Sequence, residues 1–212
     1  MLSPACRVPE VYLTFPSALR HTRRLIDRHH SVRVLVVGHA LVPAVPTRRG
    51  RLEKELERRL PGSDFVIIDD RGAIGLAADV FGRIQSEVFD TEPDLVVWEV
   101  GASDAVAAAD PASLGATIRD AAHWLRERNI DLVLVDPPFV PELAYEHIYW
   151  PIVGEIGAVS DRAGINLLRW YAVMQYWDIR NVRGEHRQAL LAGKRPCMPE
   201  LLAEAIARAA TR

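Results

Sequence analysis

Five short apolar runs, separated by stretches of helix length, constrain this chain more than anything else in it. The runs cover residues 32–37, 64–68, 94–100, 131–135 and 166–168. The first, Val32-Arg-Val-Leu-Val-Val37, is almost continuously apolar. That is the pattern of a strand covered on both faces, not one with a wet side. The intervening stretches carry a helical period. Residues 51–60 place Leu52, Leu56 and Leu60 on one face and stop at Pro61-Gly62. Residues 77–89 align Val80, Ile84 and Val88, and residues 111–127 align Leu114, Ile118, Ala121, Ala122 and Leu125. Residues 149–163 and 199–210 complete the helical set. Strands alternating with helices make βαβ units, a parallel sheet and right-handed crossovers. The expectation is an α/β fold: a three-layer α/β/α sandwich around a five-stranded, mostly parallel sheet. Residues 1–30 read as an N-terminal arm with a short helix, 16–29, packed on a body of residues 31–212. Residues 178–195 are polar and aperiodic, and read as loop.

Bulk properties narrow the function classes. A chain of 212 residues is one domain with room for a sizeable core. Its net charge of −2 gives no electrostatic footprint for nucleic acid. The local run Arg48, Arg49, Arg51 is offset by the acids of residues 52–59 and reads as a solvated helix face. No apolar run reaches the roughly 18 residues of a membrane span. The two cysteines, Cys6 and Cys197, lie close to the two ends of the sequence. Chain ends often lie near each other, so these residues form either a disulfide or two buried thiols. Spacing alone does not choose between the two.

In an open parallel sheet, ligands bind beyond the carboxyl ends of the strands. Here the first strand ends in Gly38-His39-Ala40-Leu41. This resembles the first motif of the SGNH (GDSL) hydrolases, Gly-Asp-Ser-Leu, with Ala40 at the position of the nucleophilic serine. Asp70-Arg71-Gly72 resembles the second block, Asn-x-Gly, and Gly101-Ala102-Ser103-Asp104 the third, Gly-x-Asn-Asp. Leu134-Val135-Asp136-Pro137-Pro138 and the aromatic segment from Trp170 to Trp177 are similar to segments of a secreted bacterial subgroup. That subgroup also has an early Cys-x-Val-Pro, here Cys6-Arg7-Val8-Pro9, and a late cysteine, here Cys197.

The resemblance implies an SGNH-hydrolase (flavodoxin-like) sandwich, a Cys6–Cys197 bond and a periplasmic or secreted protein whose signal peptide has been removed; a cytoplasmic location is the alternative. It implies oxyanion donors at Gly72 and Ser103. The fifth block, Asp-x-x-His, should supply base and orienting acid. By the subgroup's spacing it falls on His186-Arg187-Gln188-Ala189, which puts His186 at the acid position and Ala189 at the base position. A shifted register would offer Asp178 as an acid.

The serine route needs a nucleophile, a base in hydrogen-bond reach and an oriented imidazole. Loss of one triad member typically costs on the order of 10⁴- to 10⁶-fold, and loss of an oxyanion donor roughly 10²- to 10³-fold. With Ala40, His186 and Ala189 at the triad positions, no intact catalytic set is expected. His39, Gly72, Ser103, Asp104 and His186 are the candidate ligand-binding residues. His39 reads as a base, a ligand contact or a histidine hydrogen-bonded within its turn. His39, Asp104 and His186 lack metal-site spacing, so neither metal nor cofactor is expected.

The expected function is therefore a catalytically impaired SGNH homologue. It would bind a glycan or acylated small molecule, or assist an active protein partner. The alternatives are an esterase or deacetylase rebuilt around His39, Ser103, Asp104 and His186, and a pure protein-interaction module. The aromatic set Tyr145, Tyr149, Trp150, Trp170, Tyr171, Tyr176 and Trp177 reads either as a sugar-stacking surface or as ordinary packing.

Overall fold

The structure is a computed structural model. It describes residues 2–38, 50–70, 75–139, 143–180 and 196–212, with 143–146 described by backbone alone. Five strands form one sheet: β1 (Val32–Val37), β2 (Phe65–Asp70), β3 (Leu95–Glu99), β4 (Asp131–Val135) and β5 (Asn166–Leu168). Their spatial order is β2-β1-β3-β4-β5, and every pairing is parallel. The sheet is thus wholly parallel where the sequence had predicted mostly parallel.

Eight α-helices occur among the described residues. They are α1 (Arg20–Asp27), α2 (Arg51–Arg59), α3 (Ala77–Thr91), α4 (Ala102–Val106), α5 (Pro111–Glu127), α6 (Leu143–Ala163), α7 (Trp170–Arg180) and α8 (Cys197–Ala210). Pro111 at its first position and the Asp110 side chain, which accepts from the amides of Ala112 and Ser113, start α5 where the sequence places it.

Successive strand residues feed opposite cores. Val32, Val34, Val36, Leu95, Val97, Val133, Val135 and Leu168 enter one core, shared with α2, α7, α8 and the N-terminal arm. Leu35, Val37, Val96, Trp98, Leu134 and Leu167 enter the other, under α3, α5 and α6. This two-sided burial is why the strands show no polar alternation.

One expectation on the carboxyl-terminal half needs correction. Residues 178–180 are not loop but the last turn of α7, and Asp178 is buried in that helix. The remainder of that predicted loop, 181–195, lies outside the described residues. Of the two readings of the aromatic set, the described members favour ordinary packing; the Tyr145 side chain lies outside the described residues. Trp170, Tyr171 and Trp177 are buried, Tyr149 and Tyr176 pack against the core, and Trp150 alone among these six is largely exposed. Trp170 and Trp177 meet edge to face at 5.7 Å. The α7 run shows no sharp apolar stripe because Asp178 lies on its buried face while Ala172, Tyr176 and Ile179 lie on the other, so no period advertises it.

The arm is tied to α8 at several points. Cys6 and Cys197 form a disulfide, both residues buried. The Ser3 hydroxyl donates to Glu200 at 2.9 Å, and Trp177 Nε1 donates to the Arg7 carbonyl at 3.3 Å. Leu13, Phe15 and Leu19 enter the core. Below them Arg59, with only 4% of its side chain exposed, pairs with Glu55 and, at 2.9 Å, with Glu204. Burial alone would raise the pKa values of these two glutamates. The bonds from Arg58 and Arg59 to Glu55, and from Arg208 and Arg59 to Glu204, outweigh it and hold both carboxyls below the usual range.

The disulfide closes a loop of 191 residues, so it removes much unfolded-state entropy. Replacing both cysteines by serine should lower unfolding free energy by about 2–5 kcal/mol. Urea denaturation of the non-reduced protein against the double variant measures the difference; coincident curves would refute it.

Candidate functional site

The chain order reverses between β1 and β3: β2 lies to one side of β1, while β3, β4 and β5 continue on the other. The carboxyl ends of β1 and β3 therefore flank the topological switch point, the crevice such sheets use for ligands.

Two glycines shape it. Gly38 leaves β1 at φ +134°, and a Cβ there would lie 2.5 Å from the Cβ of Glu99. Gly38 is seated on the Glu99 stem, and only glycine meets both the angle and the contact. Gly101, at φ +100°, precedes α4; a Cβ there would meet Ile156 Cδ1 at 2.5 Å. This brings α4 down against α6 and aims Ser103 and Asp104 at the crevice.

Gly38, Trp98, Glu99, Gly101, Ser103 and Asp104 are among the residues lining a pocket of about 110 Å³. A space of that size suits a small acyl group or a few waters rather than a drug-sized ligand.

Asp104 is 4% exposed, and its Oδ1 accepts from the Ala77 amide at 3.1 Å. The residue before α3, Leu76, has no capping side chain, so Asp104 supplies the cap from a neighbouring helix. Burial raises its pKa against the opposing backbone bonds from Ala77 and its own amide, and nearby Asp79 adds to the rise. At the end of β2, Asp70 receives both Nε and Nη2 of Arg83, the latter at 2.7 Å, which fixes α3 to that strand. At the end of β4, Asp136 accepts from the Tyr171 amide at 2.8 Å and anchors the start of α7. Complete burial pushes the Asp136 carboxyl up to about 7, against the amides of Tyr171 and Trp170 and the charge of Arg169.

Of the residues singled out in the sequence, Ser103 and Asp104 come together in this pocket. His39, Ala40, Gly72, His186 and Ala189 lie outside the described residues. Glu99 was not foreseen. Its signal is an acid at the last position of an apolar strand, two residues before Gly101, where burial would select an apolar side chain. Among the described residues no group of three His, Cys, Asp or Glu side chains is placed to hold a metal ion, and no helix is long and apolar enough to cross a membrane.

Comparison with known proteins agrees with this layout. The sequence profile of the non-GDSL lipase-like family matches residues 5–212. No curated protein matches the sequence. Among solved structures, an acetyl xylan esterase, AlAXEase, superposes with a TM-score of 0.64 at 16% identity, covering 82% of this chain and 98% of its own. The psychrotrophic esterase EstA from Pseudoalteromonas sp. gives 0.61 at 12%, covering 85% and 99%. A lipase/acylhydrolase from Enterococcus faecalis gives 0.57 at 19%, covering 84% and 94%. At such identities these likenesses establish a shared fold.

Two predictions follow from the buried acids. Asp104→Ala leaves the α3 amide unpaired and should cost about 1–3 kcal/mol, while Asp104→Asn, which keeps an acceptor, should cost clearly less; chemical denaturation separates them. Asp136 has a folded pKa above the roughly 3.9 of an unfolded aspartate. Its contribution is fully present below that value and is lost as pH rises through about 7. Asp136→Asn cannot ionise, so it should lose less stability than the parent between pH 5 and pH 8, by on the order of 1 kcal/mol or more. Parallel melting curves at the two pH values test this, and equal losses would contradict it.

Proposed function

The chain belongs to the non-GDSL lipase-like family, and from that premise we propose that it is an SGNH-type scaffold without a working serine-esterase site. On this reading its cleft binds a glycan or an acyl ester outside the cytoplasm, or serves an active partner enzyme. The observation that carries the reading is Ala40, two residues beyond Gly38 at the carboxyl end of β1. A methyl group has no lone pair and cannot attack an ester.

Two features support it. Ser103 stands where the family pattern has an asparagine, which shortens the reach of an oxyanion donor. Glu99 puts an acidic side chain in the pocket wall beside Gly38. The pocket itself persists, so the loss lies in chemistry rather than in space. The Cys6–Cys197 bond fits an oxidising compartment.

The test is to rebuild the triad with Ala40→Ser, His39→Asp, His186→Asp and Ala189→His and to assay p-nitrophenyl acetate. The parent should turn over no faster than a heat-denatured control, and the rebuilt variant should exceed it by at least about 100-fold. Parent turnover well above the control and lost in His39→Ala would overturn the reading in favour of a rebuilt enzyme.

A further inference from the structure

A second cavity lies away from the cleft. A groove of about 1250 Å³ lies at the opposite pole, where the turns into β4 and β5 meet α1 and the end of α5. Five arginines line it: Arg20, Arg23 and Arg24 from α1, Arg126 from α5, and Arg212. Only two acids share the wall. Asp131 is turned inward to accept from the Thr22 amide at 2.8 Å, and Asp27 is exposed and pairs loosely with Arg23 at 3.6 Å. Arg20 and Arg126 are exposed and have no acidic partner among the described residues. A positive groove on a chain of net charge −2 is a local accumulation that the overall composition conceals.

We propose that this groove binds an acidic polysaccharide, a chain carrying carboxylates at regular intervals. Arginine forks match carboxylates in geometry and charge. The five arginines come from three separate places in the chain, α1, α5 and residue 212, so a chain of repeated charges can pair with several of them at once. Near the start of α1 the Thr22 amide is taken by Asp131 and the Arg23 amide by the Leu19 carbonyl, so neither is open to an anion. No phenylalanine, tyrosine or tryptophan lines the groove, so it lacks the stacking platform that single-stranded nucleic acids use. The inference goes beyond the cleft and holds whether or not the cleft is catalytic.

The test uses the intact, disulfide-bonded protein and an end-labelled polygalacturonate decamer, followed by fluorescence anisotropy. Saturable binding is expected, weakening with added salt as exposed charge pairs do. Arg20→Glu combined with Arg126→Glu should lower affinity at least about tenfold without changing the melting temperature. Should that variant fold poorly, Arg20→Gln with Arg126→Gln carries the same expectation with a smaller change. No binding, equal binding of a neutral dextran oligomer, or unchanged affinity in a folded variant would overturn the proposal. Equal or tighter binding of a thymidine decanucleotide would also overturn it, in favour of a nucleic-acid surface. None of these outcomes bears on the esterase assay, since both arginines lie at the far pole of the sheet.

Discussion

The constraint on which the structure rests is a parallel sheet that must be dry on both faces. Val32, Val34, Leu35 and Val37 of β1 are fully buried, as are Leu95, Val96, Val97 and Trp98 of β3. A strand pair buried to this degree can have no wet side, so helices have to cover each face. The crossover rule then fixes where each helix returns. Once the order β2-β1-β3-β4-β5 is set, the crevice at the ends of β1 and β3 follows from connectivity, and every residue in the candidate pocket is positioned by it.

That logic explains which parts of the molecule could be read from the sequence. The edges of β1, β4, β5 and α5 were legible to the residue, because apolar density, Pro111 and Asp110 all mark them locally. The helix α7 was not, because its buried faces are set by partners distant in sequence. Trp177 packs on Trp170 within the helix but bonds to Arg7 across the fold. The short α4 was also missed. Five residues carry no measurable period, and what holds them is Gly101 beneath α6 and Asp104 on the Ala77 amide. In the site, Ser103 and Asp104 were legible through their spacing from Gly101. Glu99 was hidden at the end of an apolar run, and the basic groove was hidden because its arginines come from segments about a hundred residues apart in the chain.

The arm shows how the second face is completed. The α2–α8 layer depends on Arg59, a nearly buried cation held among Glu55, Glu204 and the more distant Glu200. Such a cluster adds little net stability compared with apolar packing, yet breaking one partner leaves a charge stranded. Glu200 also receives Ser3, two residues after the start of a segment whose Cys6 is bonded to Cys197. Covalent and ionic ties therefore act on the same few residues. They hold the start of α8 against the arm.

This arrangement separates what the fold needs from what catalysis needs. Gly38, Gly101 and Asp104 cannot change freely: a Cβ at either glycine runs into a neighbour, and loss of the carboxylate uncaps α3. A serine hydroxyl at position 40 would carry no comparable structural debt, since its role in an esterase is to attack substrate. On the proposed reading, alanine at that position removes the chemistry while leaving Gly38, Gly101 and Asp104 in place. On the proposed reading the pocket can therefore outlive the reaction, since the packing of Gly38 and Gly101 and the bond from Asp104 to the Ala77 amide do not depend on the side chain at position 40.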